Sequence, residues 1–451
     1  MHPGRLYLRQ TTLRGRVRPD GGRAREGTGR PAPPGERALN VWLVNPFDPL
    51  PGDPEQQGRY AGLAEVLTRR GHEVTWWTSS FSHRFKRPVD QDLLADACRE
   101  AGIGVRFLPA PPYSRNVSIA RLRNHRALAR GFTDLAPKEA RRPDVVLASA
   151  PPPFLARQAG RFARSVEAGF VVDVQDAWPE TFLRLAPGPL RGLFRCLLSP
   201  WYRAGNEAYA AADAIVGVAD EYVRQAAARS GRSQTTATVP LGVDLAGFDR
   251  AAKAGAGPDR TKPDGHVWLI YSGSLNRSYD CLTILRAFAH LRGREDFDRL
   301  RLFVTGQGEL AEEAGRIVAA EGLANVTLAG FMDFPAWAAL MSRCDVGFNA
   351  SFPEAMIYLP NKIFWYMAAG LAVLNTIPGQ CSRIVEEGGI GLDYRAGDAA
   401  DCARAIATLL DDPATRERMG RQSRQLAETK YDRAILLPEF ASLLEEVARS
   451  R

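Results

Sequence analysis

Lys362 stands in the first turn of a helix predicted over KIFWYMAAG, directly after Leu359-Pro360-Asn361 and closed by Gly370. The helix dipole disfavours a cation at that end, and a bound diphosphate would remove the conflict. The alternative is a solvated lysine on a helix packed through Ile363, Phe364 and Met367. Other candidates follow apolar runs: Ser272-Gly273-Ser274 after VWLIY, Gly306-Gln307-Gly308-Glu309 after LRLFVT, and Gly330-Phe331 after NVTLA. Glycine lets a backbone approach a phosphate or sugar, and its amide can donate to an anionic oxygen. Each such glycine alone is also an ordinary strand-to-helix turn. Three at successive strand ends indicate a shared crevice. Asp176, in QDAWPE, follows a strand and can orient or polarise a substrate hydroxyl, or simply cap its own loop. His83 in SSFSHRFKR is a further candidate for the same side, or a solvated loop histidine.

Several chemistries lack their residues. Cys98, Cys196, Cys281, Cys344, Cys381 and Cys402 are scattered without CxxC or CxxxC spacing, so neither a zinc site nor a disulfide framework is indicated, and a reducing cytoplasm fits. There is no GxSxG elbow and no paired-carboxylate arrangement of a glycosidase.

The elements that must hold these residues are legible as alternation. From Leu39 onward, LNVWLV, HEVTWWT, IGVRFL, DVVLASA, FVVDVQ and AIVGVA alternate with amphipathic stretches such as RYAGLAEVLTRR. That pattern predicts a parallel sheet covered on both faces. A second series, VWLIYSG, LRLFVTGQG, NVTLAGF, CDVGFNA and LAVLNT, follows the Ala, Gly, Pro and charge-rich stretch 249–265, which is read as a linker. The expected organisation is a disordered basic arm (1–38), a first doubly wound domain (39–248), the linker, a second domain (266–433) and a closing helix (434–451). In open parallel sheets ligands bind at the carboxyl ends of the strands, where the candidate residues lie.

The net charge of +8 divides unevenly: +6 over residues 1–38, +6 over 39–240 and −4 over 241–451. No zinc finger, helix-turn-helix or aromatic-interleaved basic strand accompanies the basic half, so nucleic acid is not the expected partner. An anionic membrane or phosphorylated acceptor fits better. Within SRNVSIARLRNHRALARGF, Arg121, Arg123, Arg126 and Arg130 interleave with Val117, Ile119, Leu122 and Leu128, as a basic amphipathic helix on lipid would, or as an ordinary helix with a solvated face. Arg191, Arg195 and Arg203 around LFRCLLSPWYR add a second such stretch. No run of 18 or more apolar residues and no signal-peptide core occurs, so the expected location is cytoplasmic, peripheral at the inner face of the cell membrane.

The order DVGFNAS, LPNKIFWYMAAGLAVLNT, PGQ and IVEEGGIGLDY resembles the C-terminal half of the retaining family-4 glycosyltransferases of GT-B fold, notably bacterial surface-polysaccharide and sugar-lipid enzymes. VTGQGELAEEAGRIVAAEGLANVTLAGF, VPLGVDLAGF and, upstream, GRYAGLAEVLTRRGHEVTWWTSSFSH and DVQDAWPET are similar to the same family, so the resemblance covers residues 39–450. It implies two Rossmann-like domains facing across a cleft, with a UDP- or GDP-sugar donor in the second, a lipid-linked or glycan acceptor on the first, retention of configuration, and neither metal nor cofactor. By position it implies that Gly306 and Gly308 border the nucleotide, Gly330-Phe331 meet the base, and Asn361 and Lys362 lie at the diphosphate. Gly273 and Ser274 belong to the same crevice, Glu354 lies toward the sugar, and Gly58 admits sugar or acceptor. Two departures stand out. Trp365 occupies the place of a ribose-binding glutamate, with Ile357 at the preceding glutamate position, and indole has no acceptor. The usual basic pair is replaced by Ser274 and Tyr279, leaving Lys362 and Arg277 as sources of positive charge. Trp365 motivates an alternative reading, a catalytically silent transferase-like subunit that binds a partner enzyme. A nucleotide-sugar epimerase on the same fold finds no supporting histidine and carboxylate arrangement.

Overall fold

The computed structural model describes residues 37–53, 58–183, 186–255 and 262–451. The basic arm as far as residue 36 and residues 256–261 of the expected linker lie outside them. The apolar runs become strands, in chain order β1 (Asn40–Val44), β2 (Glu73–Ser79), β3 (Phe81–Ser82), β4 (Arg87–Pro88), β5 (Ile103–Leu108), β6 (Val145–Ala150), β7 (Gly169–Val174), β8 (Ala214–Gly217) and β9 (Thr235–Thr238) in the first half. The second half contributes β10 (Val267–Ser272), β11 (Leu300–Thr305), β12 (Val326–Gly330), β13 (Val346–Asn349), β14 (Ala372–Asn375) and β15 (Gly391–Asp393).

Two separate parallel sheets result, ordered β5-β2-β1-β6-β7-β8-β9 and β12-β11-β10-β13-β14-β15. Both reverse direction beside their first strand, the doubly wound pattern whose switch point opens a crevice at the strands' carboxyl ends. Every residue of β1, β6, β7 and β8 is buried, because helices cover both faces, whereas the edge strands β9 and β12 have no fully buried residue. The helices bury one stripe each; in Cys281–Leu291 that stripe holds Ile284, Leu285, Phe288 and Leu291. The small antiparallel hairpin β3-β4, paired through Phe81–Pro88 and Ser82–Arg87, projects from the end of β2.

The domain junction differs from the expectation. A helix spans Leu245–Ala254, running through the first residues read as linker. It forms because the Asp244 carboxylate accepts the Gly247 amide at 2.9 Å as a cap, and because Leu245 and Phe248 are buried. Phe248 packs against Trp337 and Trp365, so this helix belongs to the second body. The chain then returns: Val243 bridges Asp432, and the closing helix, Arg433–Arg449, packs on helix Arg59–Arg69 and against β6 and β7. Residues 433–449 are therefore part of the first body's core, with Leu437, Phe440 and Leu444 among Leu63, Leu67 and Val41.

Candidate active site

On the second body, the loops after β10 and β11 lie backbone to backbone. Gly273 N donates to Thr305 O and Leu275 N to Gln307 O, and a Cβ on Gly306 would collide with the Gly273 carbonyl. Gly306 and Gly308 are thus required by loop-to-loop packing, and the Gly306 amide is already bonded to Gly330 O. Against Gly273 lies Lys362, the first residue of the helix Lys362–Ala368. Its ammonium is buried without a hydrogen-bond partner, 4.4 Å from the Tyr271 ring centroid and 4.1 Å from that of Tyr279. A Cβ on Gly273 would stand 3.1 Å from Nζ, so glycine there leaves the amine its space. Burial pushes the Lys362 pKa down to about 7.

The other donor-side candidates spread around this point. Asn361 and Ser274 are exposed at the rim, and Glu354 is exposed in the short turn Pro353–Ala355. Arg277 is 82% exposed in its side chain and lies 3.7 Å from Glu309. Gly330 accepts from the Gly306 amide at 2.7 Å, and Phe331 beside it is 64% exposed. Trp365 does not point alone into a cavity. It packs against Phe334, Trp337 and Phe248 with centroids 5.5–6.0 Å apart, and Trp337 Nε1 donates to Ser272 Oγ at 2.7 Å.

Across the cleft, Asp176 follows β7. Its carboxylate accepts from the Ala177 amide at 2.7 Å and from Trp178 Nε1 at 3.0 Å, both within its own loop. Burial, then the charge of Asp176, raises the hydroxyl pKa of Tyr279, the ring lying over Lys362. Tyr279 thus lies beside the Lys362 amine and within the field of Asp176 from the opposite body. Tyr222 Oη donates to Met356 O at 3.1 Å, tying the two bodies beside the same point.

His83 lies in the β3-β4 turn, hydrogen-bonded to Tyr113 Oη and within 3.2 Å of Lys86 Nζ. Burial, with Arg121 and Lys86 nearby, holds its pKa down to about 4. Its neighbour His125, buried on the inward face of helix Ile119–Leu135, is held to about 3 by burial and Arg121. Arg84, from the same turn, reaches over to Phe331 of the second body, 5.9 Å from the ring centroid. Gly58 has a different neighbour from the one expected: a Cβ there would press the Asp48 carboxylate, which caps the helix Arg59–Arg69 through the Tyr60 amide. Arg121 is not on the exposed side with Arg123, Arg126 and Arg130, so it leaves the basic face expected from the sequence and turns inward onto the Trp178 ring at 4.9 Å.

Lys86, Tyr113, His125, Trp178, Tyr222 and Tyr279 were not assigned to the site from sequence. For His125 a signal existed: it shares the spacing of Asn124, Leu128 and Phe132, the buried face of its helix. Tyr279 was legible only as one of the two residues standing in place of the basic pair; Tyr113 and Tyr222 carry no signal, because only tertiary packing brings them to the cleft. Among the described residues no group of three or more His, Cys, Asp or Glu is placed to hold a metal ion.

The chain resembles known proteins in both halves. Residues 57–242 match the glycosyl transferase 4-like domain and residues 266–412 the glycosyl transferases group 1. A D-inositol 3-phosphate glycosyltransferase of Pseudarthrobacter chlorophenolicus is 34% identical over 185 residues, 40% of this chain and 43% of that protein. An alpha-D-kanosaminyltransferase of Streptomyces kanamyceticus is 22% identical over 197 residues, 41% of this chain and 47% of that protein. The chain thus matches less than half the length of these curated relatives. Among solved structures, Anabaena HepE in complex with UDP superposes with a TM-score of 0.62 at 15% identity, over 90% of this chain and 100% of HepE. WaaG, a glycosyltransferase involved in lipopolysaccharide biosynthesis, superposes with a TM-score of 0.60 at 15% identity, over 90% of this chain and 99% of WaaG. These likenesses establish the GT-B fold.

Proposed function

We propose that this chain, which belongs to the group 1 glycosyltransferases of family 4, moves a sugar from a nucleotide-sugar donor to a hydroxyl of a lipid-linked or cell-surface glycan, with retention of configuration and without a metal. The observation that carries the reading is the buried, unpartnered Lys362 amine beneath Gly273, set against the rings of Tyr271 and Tyr279. In this reading Lys362 balances the charge that grows on the leaving nucleotide diphosphate as the glycosidic bond breaks. Asp176 orients the acceptor hydroxyl toward the same carbon. UDP is the first donor nucleotide to test, since HepE is known with UDP and with UDP-glucose. Calorimetric titration of UDP, GDP and dTDP, and of their sugars, into the purified protein checks the donor side. A protein that binds none of them is not a transferase of this kind. Binding without turnover would favour the silent-subunit alternative, for which Trp365 is the motivating residue.

The acceptor's location is proposed from the surface. Leu190, Leu193 and Leu197 are exposed at helical spacing along Arg191–Leu197, beside Arg191 and Arg195. Arg123, Arg126 and Arg130 are exposed on another helix of the same body. Apolar side chains flanked by arginines suit an anionic bilayer. No described helix is long and apolar enough to cross one. Flotation with liposomes of anionic lipid, against neutral ones, tests the contact; equal partitioning would sink it.

A further inference from the structure

Lys86 is one of three described non-glycine residues with positive φ, at 54°. A residue with a Cβ adopts that conformation only when its surroundings impose it, and here the result is an ammonium turned inward. Nζ donates to Asn116 Oδ1 at 2.6 Å and His83 O at 2.5 Å, and lies 4.8 Å from the Tyr113 ring centroid. Arg121 approaches from the facing helix. Its guanidinium lies over Trp178, donates to Asn116 O at 2.8 Å, and leaves Nε buried without a partner. Among the described residues no ion pair joins Lys86 or Arg121 to a carboxylate, and the charge of Asp176 acts on Arg121 against the burial that lowers its pKa. Behind them His125 is 2% exposed, with Nε2 unpartnered and its ring 5.4 Å from that of Trp178. Two cations, a buried unsatisfied imidazole nitrogen and aromatic walls converge at the acceptor side of the cleft, on the turn that also carries Arg84 to Phe331.

We infer that this cluster is an anion subsite, in which Lys86, Arg121 and His125 grip a phosphate or diphosphate of the acceptor and so present its hydroxyl toward Asp176. The inference rests on the transferase reading above. Neutral imidazoles fit it, since a neutral His125 can donate from Nε2 without adding repulsion between the two cations. The cluster is separate from the donor's charge partner, because Lys362 lies on the other body beneath Gly273. The anion can belong to a soluble sugar phosphate or to the head of a lipid-linked acceptor.

The test titrates inorganic pyrophosphate into the full chain already saturated with UDP, so that the donor diphosphate position is filled. Lys86→Gly removes the ammonium and relieves the positive φ, which keeps the fold safe; Arg121→Gln is the second variant. Pyrophosphate affinity should fall at least tenfold in each, weaken with added KCl in the wild type, and leave UDP affinity unchanged. Farnesyl pyrophosphate binding tighter than pyrophosphate identifies a lipid source, and glucose 1-phosphate binding tighter identifies a soluble one. Equal pyrophosphate affinity in wild type and variants, or none in UDP-saturated wild type, overturns the subsite. Should the wild type fail to bind UDP at all, the donor reading falls, and the wild-type-to-variant difference in pyrophosphate affinity still decides this one.

Discussion

Lys362 joins two properties that oppose each other. Burial with no counter-charge lowers its pKa to about 7, so the folded apo protein disfavours the charged amine. The unfolded chain holds that proton up to about pH 10.4. The penalty is therefore complete below pH 7 and is relieved as pH rises from 7 to above 10. Removing the amine should stabilise the apo protein: Lys362→Met is expected to gain on the order of 2 kcal/mol in urea denaturation at pH 6.5 while weakening UDP binding. Binding a diphosphate restores the charged form. At pH 8 the wild type should take up close to one proton per UDP, read from the buffer dependence of the calorimetric enthalpy, and Lys362→Met should take up none. The two histidines give the opposite window. Their folded pKa values, about 4 for His83 and about 3 for His125, lie below the unfolded value near 6.5, so the unfolded chain binds more protons between these limits. Stability should fall as pH drops from 6.5 toward 4, and His125→Phe should flatten that slope. An unchanged slope in the variant would remove His125 as its source.

Among the elements, the long buried strands were legible because a strand covered on both faces reads as a continuous apolar run. LNVWLV, DVVLASA and FVVDVQ became β1, β6 and β7, fully buried throughout. The β3-β4 hairpin was not legible, since two residues per strand leave no period to read, and it carries His83 and Lys86. Helix Leu245–Ala254 was hidden by its composition: Ala, Gly and charge signal a linker, while the Asp244 cap and buried Phe248 decide otherwise. Trp365 illustrates the same limit. From sequence it is a missing carboxylate; in the fold it is one of four rings, with Phe248, Phe334 and Trp337. A glutamate there would lie against apolar faces. Trp365→Glu should therefore lose roughly 3 kcal/mol of stability without gaining UDP affinity, and Trp365→Phe should lose less than half of that. A glutamate variant that folds as well as the wild type and binds UDP more tightly would instead mark Trp365 as a degraded ribose contact.

The whole molecule is closed by its last helix, which leaves the second body and clasps the first. Its inner face puts Phe440 against the guanidinium of Arg59, 4.7 Å from the ring centroid, and Arg59 lies 3.3 Å from Asp173 with both side chains at most 1% exposed. No nitrogen of that guanidinium has a hydrogen-bond partner, so Coulomb attraction and the aromatic face offset its desolvation unaided. Removing one partner leaves the other charge buried and uncompensated. Arg59→Leu alone should cost about 3–5 kcal/mol. In the double variant Arg59→Leu/Asp173→Asn no bare charge remains, and most of that loss should return, because a poorly satisfied buried pair contributes little net stability. Phe440→Ala should cost about 3 kcal/mol by opening a cavity at the same junction. Urea denaturation of the three variants, followed by intrinsic tryptophan fluorescence, separates the cases. A double variant as unstable as the single one would mean that Arg59 holds the closing helix by shape and stacking rather than by balancing Asp173, and the clasp would then depend on Phe440 alone.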